Sequence, residues 1–316
     1  MSGGAGEAAG TREQSETAIC CGIHVRAGDV PDPELREDDV LVQVHAAGVN
    51  LLDSKIRNGE FKIFLRYRLP IILGHDVAGI VVRVGSRVRR FKPGDEVYAR
   101  PADGRIGAFA EFIAIAEEDV AIKPKALSME EAASIPLVGL TAWQALIERA
   151  NLKKGQKVLI HAGSGGVGTF AIQLAKHVGA TVATTTSTAN VALVRSLGAD
   201  VVIDYKKEDF AHILQDYDVV LSSLDKVTLE KSLRVLKPGG QLISISGPPD
   251  AAFARSIGAS WALRVIMAFR RPASTKHRSV AHRHRDSECR LPMAHSSRPA
   301  TCRMPITFRA CSRCLT

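Results

Sequence analysis

Cysteine is almost missing from the body of this 316-residue sequence. Its six cysteines lie near the two ends, at Cys20, Cys21, Cys289, Cys302, Cys311 and Cys314. The long stretch between the second and the third of them therefore offers neither a disulfide framework nor a thiolate metal site. The run Cys311-Ser312-Arg313-Cys314 resembles half of a zinc module, but the preceding cysteines are irregularly spaced and no strand or helix pattern surrounds them. We expect no zinc there.

Long apolar runs are also missing. No run reaches the roughly 18 residues that a membrane span needs, and residues 1–21 have neither the basic start nor the apolar stretch of a secretory signal. Apolar residues make up 46% and charged residues 24% of the sequence, as in ordinary globular proteins. We therefore expect a soluble protein without a membrane partner, cytoplasmic by default, with room for two domains and a large core.

Net charge is missing from most of the chain as well. Of the 42 Lys and Arg and the 33 Asp and Glu, residues 270–316 hold 11 bases and two acids, which leaves 31 of each sign elsewhere. The formal charge of +9 thus belongs to the C-terminal tail. An arginine-rich tail can bind nucleic acid without sequence specificity, but such runs are more often simply solvated. We expect no specific nucleic-acid partner.

Four segments of the sequence differ in pattern. Residues 1–28 are rich in small and polar residues without usable periodicity, and we expect them to be disordered. Residues 29–127 carry short alternating segments separated by glycine or proline, which predicts a compact, mostly β domain. Residues 128–268 alternate strands with helices, and residues 269–316 show no period that predicts structure. The strands expected in the β domain are residues 40–46, 76–84, 95–99 and 108–115.

The alternation in residues 128–268 predicts an α/β domain with a parallel, doubly wound sheet. A capping box, Ser128-Met129-Glu130-Glu131, begins one helix, and residues 141–149 form a second helical stretch. The predicted strands are residues 157–161, 181–184, 201–203, 218–222 and 241–246, and the predicted helices between them are residues 166–178, 189–197, 208–215 and 226–236.

A glycine-rich turn, Ala162-Gly163-Ser164-Gly165-Gly166-Val167-Gly168, joins the first of these strands to the helix that follows. Glycine allows the tight turn, the approach of the backbone to a pyrophosphate and the close packing of helix on strand. The N–H groups at a helix N-terminus hold phosphates. Because the strand–turn–helix context is present, we expect dinucleotide binding rather than a turn without a ligand. The expected contacts are Gly163, Ser164, Gly165, Gly166 and Val167.

The loop after the second of these strands contains no acid. NAD sites place a carboxylate there to accept a hydrogen bond from the ribose 2′-hydroxyl, whereas residues 184–190 are all neutral. A 2′-phosphate would be repelled by a carboxylate, and it can accept hydrogen bonds from Ser187 and Asn190. We therefore expect NADPH as the cofactor. A polar helix cap at Ser187 or Thr188 is the alternative explanation, and one residue can serve both purposes.

Several motifs stand in an order that resembles one family. They are Ala47-Gly48-Val49-Asn50-Leu51-Leu52-Asp53, Leu73-Gly74-His75-Asp76-Val77-Ala78-Gly79, Lys92-Pro93-Gly94-Asp95-Glu96-Val97, Ala132-Ala133-Ser134-Ile135-Pro136, Gly139-Leu140-Thr141-Ala142-Trp143 and the glycine turn. On these motifs, about three quarters of the chain resembles the quinone oxidoreductase branch of the medium-chain dehydrogenase/reductase superfamily. The resemblance implies a GroES-like β domain, a Rossmann nucleotide-binding domain and a homodimer. It also implies hydride transfer from NADPH to a quinone or another conjugated carbonyl.

Zinc-dependent members of that superfamily hold the metal with a cysteine after the Ala-Gly-Val segment, a histidine and a second cysteine. Here Asn50 stands at the first position, and His75 with Asp76 falls short of the three or four ligands that zinc needs. We therefore expect no metal. Without a Lewis acid, reduction needs positioning and a donor for the developing oxyanion. Asn50 as amide donor and Asp53 as its orienting partner or a proton relay are the candidate catalytic residues. A turn amide and a helix cap explain them equally well.

Five further residues are expected along the cofactor. By resemblance, Thr141 contacts the nicotinamide ribose and Tyr205 lies near the adenosine phosphate. Leu224 follows the fourth strand, and Ile245 and Ser246 end the fifth, at the carboxyl edge where such sheets bind cofactors. Each alone is also explained by ordinary packing.

The two ends depart from the family pattern. Relatives begin with a strand similar to Met-Lys-Ala-Ile-Val and end with a segment that completes the β domain, and neither is recognisable here. We expect both ends to be out-of-frame readings or a mispredicted gene model, with weak or no turnover as the result. Robust quinone reduction with NADPH by the purified protein would refute this. The second hypothesis for function is a non-enzymatic NADPH-binding protein, either an inactive relative or an RNA-binding one.

Overall fold

The chain divides into two compact units, Met1–Pro136 and Leu137–Thr316. The computed structural model describes residues 16–21, 24–60, 67, 69–246 and 277–279. No helix within these ranges has both the length and the apolar character that crossing a membrane requires.

The first unit consists mainly of antiparallel strands. Its strands are β1 (Glu16–Cys21), β2 (His24–Asp29), β3 (Asp39–Gly48), β4 (Ile71–Ile72), β5 (Asp76–Val84), β6 (Glu96–Ala99), β7 (Phe112–Ala116) and β8 (Val120–Ile122), and its helices are α1 (Leu51–Arg57) and α2 (Met129–Ala133). Five of the strands form a sheet of order β7-β3-β5-β6-β8. Val40, Val42, Val77 and Val81 alternate along the two central strands and are buried together in its core, as period-two patterning predicts.

The predicted strands of this unit are largely present, and one boundary needs correction. Residues 76–84 form β5 as predicted, but β7 begins at Phe112 rather than at Ala108. The N–H groups of Ala108 and Phe109 donate instead to Gly74 O and Leu73 O, at 3.2 and 2.9 Å. These residues therefore brace the loop before His75 and take no part in the ladder.

A second sheet, of order β2-β1-β4, lies in the same unit. β1 pairs along its whole length with β2, from Glu16 opposite Asp29 to Cys21 opposite His24, and Cys20 pairs with β4. This pairing corrects the expected disorder for residues 16–21 and 24–28; the remainder of residues 1–28 lies outside the described residues. Six residue pairs join β1 to β2 and two join β1 to β4, so the sheet is mainly a local hairpin.

The second unit is built on a parallel sheet. Its strands are β9 (Lys157–Ile160), β10 (Thr181–Thr186), β11 (Val201–Asp204), β12 (Tyr217–Ser222), β13 (Leu236–Ser244) and β14 (His277–Ser279). They lie in the order β11-β10-β9-β12-β13-β14, and every neighbouring pair is parallel. This is the doubly wound order in which two halves diverge from the first strand, and it confirms the predicted fold class.

The second unit also contains helices, several of which contact the sheet. They are α3 (Pro136–Trp143), α4 (Gly166–Val178), α5 (Val191–Ser196), α6 (Phe210–Ile213) and α7 (Lys226–Val235). α4 has its predicted bounds, and Gly179 ends it in the left-handed conformation, with φ of 86°. The helix expected over residues 141–149 begins earlier, because Pro136 is preorganised for a first helical position, and it continues as a π-helix over Gln144–Arg149.

Two strands near the end of the chain differ from prediction. β13 begins at Leu236 and includes Pro238-Gly239-Gly240, a sequence that turn chemistry argues against; a register shift between Tyr217 and Val219 accommodates it against β12. β14 pairs with β13 and corrects the expected lack of structure for residues 277–279. The rest of the tail, with its four cysteines, lies outside the described residues.

Candidate functional site

The glycine turn lies at the carboxyl edge of the parallel sheet, where β9 passes into α4. β10 and β12 flank β9, so the strand order reverses here, and sheets of this kind bind ligands at such a switch point. His161 N donates to Leu221 O at 2.9 Å, and Gly163 N donates to Thr185 O at 3.0 Å. The turn is thus anchored to both neighbouring strands. The N-cap of α4 is Gly165, which has no side chain to occupy the first-turn N–H groups, so these donors and the helix dipole favour an anion.

The turn glycines serve two purposes. A Cβ at Gly163 would lie 2.0 Å from Thr184 Oγ1, and one at Gly168 would lie 2.3 Å from Ala162 O. These two glycines close the turn against the neighbouring strand and against the start of α4. A Cβ at Gly165 would lie 3.3 Å from Ala162 O, and one at Gly166 would lie 3.2 Å from Val138 Cγ1. Glycine at these two positions keeps side-chain atoms away from the backbone that a phosphate must approach.

A buried histidine lies directly below the turn. His161 Nδ1 lies 3.1 Å from Thr185 Oγ1, and Nε2 lies 2.9 Å from Ser232 Oγ. Its ring meets Phe210 edge-on, with 4.6 Å between centroids. Burial lowers the pKa of His161 to about 4, because the low-dielectric surroundings penalise the charged imidazole. The ring is therefore neutral at physiological pH.

This histidine makes the stability of the protein sensitive to acid. Between pH 6.5 and about 4 the unfolded chain binds a proton at residue 161 that the folded chain does not, so lowering the pH favours unfolding. The full shift corresponds to about 3 kcal/mol of unfolding free energy, complete when the pH has fallen to about 4. We expect urea denaturation to show this loss in the parent and a flatter pH dependence in His161→Gln. Equal slopes in the two proteins would contradict the assignment.

Three of the predicted cofactor residues come together above the turn. Asn190 Nδ2 donates to Ser164 Oγ at 3.2 Å and to Ser187 Oγ at 3.3 Å. Thr186 Oγ1 donates to Ser164 Oγ at 3.0 Å. Ser164 Oγ thus accepts two hydrogen bonds, and its own proton remains to be donated. The cluster of Ser164, Thr186, Ser187 and Asn190 is neutral and rich in donors, as an anionic ligand requires.

The residues after β11 lie against this cluster. Tyr205 N donates to Thr186 O at 3.1 Å, and the Tyr205 side chain is exposed. Asp204 accepts hydrogen bonds from Thr188 Oγ1 at 2.6 Å and from Lys206 N at 3.1 Å, and Lys207 Nζ lies 3.8 Å away. The Thr188 hydrogen bond, followed by the contacts and charges of the two lysines, holds the pKa of Asp204 below its usual value.

Two lysines at this position were missed in the sequence. The loop after the second strand, where the sequence predicts the contacts that distinguish NADPH from NADH, contains no lysine or arginine. Parallel pairing sets Asp204 opposite Thr186 and so brings Lys206 and Lys207 beside the same loop. The signal that would have found them is the strand order, which makes the residues after β11 neighbours of the loop after β10.

The predicted residues after β12 and β13 also meet. Ser246 Oγ donates to Leu224 O at 2.7 Å, and Ile245 N donates to Ser222 O at 3.0 Å. Leu224 N donates to Ser222 Oγ at 3.3 Å. These bonds tie together the carboxyl ends of the two strands on the far side of the switch point.

Thr141 is placed differently from the other predicted cofactor residues. It lies in α3 and is buried, and its Oγ1 donates to Leu137 O one turn earlier, at 2.7 Å. The hydroxyl proton is therefore used inside the helix, and only the oxygen lone pairs remain for a ligand. No hydrogen bond between Thr141 and the glycine turn is seen in the described part of the chain.

In the first unit, the Asn50 side chain is held by Asp76. Asn50 Nδ2 donates to Asp76 Oδ2 at 2.8 Å and, more weakly, to Gly48 O at 3.4 Å. Asp53 instead accepts from the Asn50 backbone N–H, at 2.8 Å. The Asp53 carboxylate thus contacts the backbone of Asn50, where it caps α1, and Asp76 holds the side-chain amide. Asp76 is the residue that sequence reasoning passed over.

The buried Asp53 carboxylate contacts three groups. Besides Asn50 N, its carboxylate accepts from Gly74 N at 3.2 Å and lies 2.6 Å from His75 Nδ1. Asp53 and His75 are 2% and 0% exposed, so water cannot replace these partners. His75 Nε2 has no hydrogen-bond partner among the described residues. Within those residues no group of three or more His, Cys, Asp or Glu side chains is arranged to hold a metal ion.

Comparison with known families matches both units. The alcohol dehydrogenase GroES-like domain family matches residues 36–125. The family described as zinc-binding dehydrogenase matches residues 166–270.

Individual relatives share the same region. A 2-methylene-furan-3-one reductase of Solanum lycopersicum is 44% identical over 71% of this chain and 60% of its own length. An NADPH-dependent alkenal/one oxidoreductase of Arabidopsis thaliana is 43% identical over 70% of this chain and 59% of its own. The chain thus spans about three fifths of these two curated relatives. The solved quinone oxidoreductase of Coxiella burnetii is 36% identical, with a TM-score of 0.69 over 74% of this chain and 76% of its own.

Proposed function

Because this chain belongs to the medium-chain dehydrogenase/reductase superfamily, we propose that it is an NADPH-dependent reductase of quinones or other conjugated carbonyl compounds that works without a metal ion. The proposal depends on the hydrogen-bond donors around the glycine turn. Ser164, Ser187 and Asn190 contact one another there, next to the N-terminus of α4, which no side chain caps. The names of the relatives, which include an NADPH-dependent alkenal/one oxidoreductase and a quinone oxidoreductase, support it.

The pyrophosphate of the cofactor would be held by the turn. Its backbone passes through Gly165–Gly166, which themselves carry no side chains, and the first-turn N–H groups of α4 would donate to the phosphate oxygens. Val167 contributes its N–H in the same turn. The dipole of the 13-residue helix adds to the attraction.

The 2′-phosphate that distinguishes NADPH from NADH would lie at the cluster of Ser164, Thr186, Ser187 and Asn190. The hydroxyl and amide groups of the cluster supply hydrogen-bond donors. Tyr205 and Lys206 follow β11, the strand that pairs with β10. Asp204 does not make the site selective for NAD. Its carboxylate already accepts a hydrogen bond from Thr188 and lies beside the lysines that follow it. The residues present therefore fit NADPH better than NADH.

The preference for NADPH over NADH should depend on one amide. Asn190→Asp removes the donors to Ser164 and Ser187 and adds a negative charge beside the phosphate site. We expect the ratio of NADPH to NADH affinity to fall by about tenfold or more, since like charges repel. Fluorescence titration of both cofactors measures it, and Asn58→Asp, the same change at an exposed position, is the control. An unchanged ratio in Asn190→Asp would contradict the assigned phosphate site.

The nicotinamide end would lie along the second half of the sheet. Leu224, Ile245 and Ser246 stand at the carboxyl ends of β12 and β13, and Thr141 offers the lone pairs of its hydroxyl. When bound, NADPH supplies the hydride for the β-carbon of a conjugated carbonyl. The chain's own residues then have to hold the substrate and stabilise the negative charge that develops on its oxygen.

Asn50 is the residue we assign to that oxygen. Its amide carries two protons, of which one goes to Asp76 and the other has only the long contact with Gly48 O. The second proton is therefore available to a substrate oxygen, and only a weak hydrogen bond is lost when it is donated. Asp53 is a positioning residue that fixes the Asn50 backbone. The donor set favours a metal-free reaction, because an uncharged amide at Asn50 stands where zinc-dependent relatives have a thiolate.

Single-turnover hydride transfer tests the proposal. With enzyme in excess over NADPH and an enone or quinone added, we expect the NADPH absorbance to decay in the parent. Asn50→Ala should slow this decay about tenfold to a hundredfold, with cofactor affinity unchanged, because one oxyanion donor is lost. Tight binding with no decay for any conjugated carbonyl would favour the non-enzymatic alternative. An Asn50→Ala rate equal to that of the parent would remove Asn50 from the mechanism.

A further inference from the structure

His161 links the glycine turn to α7 through hydrogen bonds whose direction can be assigned. Ser232 Oγ donates its single proton to Thr228 O at 2.7 Å. It can therefore only accept from His161 Nε2, 2.9 Å away. The proton of the neutral imidazole is thus on Nε2, and Nδ1 is an acceptor.

Thr185 continues this chain of hydrogen bonds to the turn. Its Oγ1 donates to His161 Nδ1 at 3.1 Å and accepts from Ala162 N at 3.2 Å. Its backbone oxygen accepts from Gly163 N at 3.0 Å. One threonine therefore holds two consecutive N–H groups of the turn, and the imidazole fixes the rotation of the threonine hydroxyl.

Ala162 is the residue of the turn that most needs such support. Its φ is +52°, in the left-handed region that L side chains rarely adopt. Its carbonyl accepts from Gly165 N at 2.9 Å and also limits the space at Gly168. The orientation of the Ala162 peptide therefore determines where the start of α4 and its N–H groups lie.

We propose that Thr185 and His161 are positioning residues for the cofactor, which set the affinity for NADPH by fixing Ala162 without touching the ligand. The inference rests on the proposed binding of NADPH at this turn. The imidazole must be neutral, because a second proton on Nδ1 would point at the hydrogen that the Thr185 hydroxyl donates. The burial that keeps His161 neutral supports the assignment.

A purely structural function would give a different result. If these residues only formed hydrogen bonds within the core, losing either partner of the imidazole would lower the stability of the protein by a similar amount. The affinity for NADPH would then be unchanged. Positioning requires an asymmetry instead. The Thr185 side of the ring holds the turn, whereas the Ser232 side holds α7.

Three variants of the full chain test this asymmetry. Thr185→Val keeps the shape and removes the hydroxyl, Thr185→Ser keeps the hydroxyl, and Ser232→Ala removes the partner on the far side of the ring. NADPH titration well below each melting temperature should show about a tenfold rise in Kd for Thr185→Val. Thr185→Ser and Ser232→Ala should stay close to the parent. Equal affinity of Thr185→Val and the parent, or an equal loss in Ser232→Ala, would overturn the proposal.

A second measurement does not depend on any variant binding the cofactor. Nitrogen NMR of the parent should show His161 as the neutral tautomer with a protonated Nε2 and a hydrogen-bonded, unprotonated Nδ1. The signal is identified by its loss in His161→Gln. The opposite tautomer would overturn the proposal, even if Thr185→Val failed to fold. A parent that binds no NADPH would count against the proposed function, whereas normal binding by Thr185→Val counts against this inference alone.

Discussion

Gly168→Ala is expected to weaken NADPH binding by roughly a hundredfold. An added Cβ would lie 2.3 Å from Ala162 O and 2.7 Å from Gly163 Cα, and both are backbone atoms that cannot rotate away. The start of α4 must therefore move out of the turn, and the phosphate-binding N–H groups move with it. Fluorescence titration with NADPH measures the effect.

The control for this variant is Gly104→Ala. A Cβ at Gly104 meets no atom of the described chain within 4 Å, so the same substitution there should leave both binding and stability unchanged. If Gly168→Ala bound NADPH within threefold of the parent, the cofactor would not be held by this turn, and the proposed function would lose its main support.

Asp53→Ala is expected to lower the free energy of unfolding of the first unit by about 3 kcal/mol or more. The substitution leaves Asn50 N, Gly74 N and His75 Nδ1 without the oxygen atoms that they contact, in a place with almost no access to water. Because the Asn50 loop is released, we also expect single-turnover hydride transfer to fall further than in Asn50→Ala. Urea denaturation followed by circular dichroism measures the first effect.

Asp38→Ala is the matched control for Asp53→Ala. Asp38 also pairs with a basic side chain, Arg87, but both side chains are about three fifths exposed, so its loss should change the unfolding free energy little, because solvent screens an exposed pair. Similar losses in the two variants would show that the buried position of Asp53 does not matter.

The local pattern of apolar residues was enough to predict the strand and the helix on either side of the glycine turn. α4 and β5 have the predicted bounds because each has a regular apolar period and a clear end signal, such as Gly179 after α4. The parallel sheet followed from short, mostly apolar strands that alternate with helices. Ser164, Ser187 and Asn190, which were chosen from two separate loops, meet in the structure.

Contacts between distant segments were not available from such patterns. Asp76 holds the Asn50 amide from another strand, and Lys206 reaches the neighbourhood of Ser187 only because β10 and β11 pair. His161 looked like the last residue of a strand, and its importance depends on Thr185 and Ser232, which lie on other elements.

The proposed function depends most directly on which dinucleotide the protein binds. Titration of the parent chain with NADPH and with NADH, followed by the change in reduced-nicotinamide fluorescence, measures this without requiring turnover. We expect saturable binding of one NADPH per chain, about tenfold or more tighter than NADH. Absence of saturable binding, or equal affinity for the two cofactors, would contradict the account.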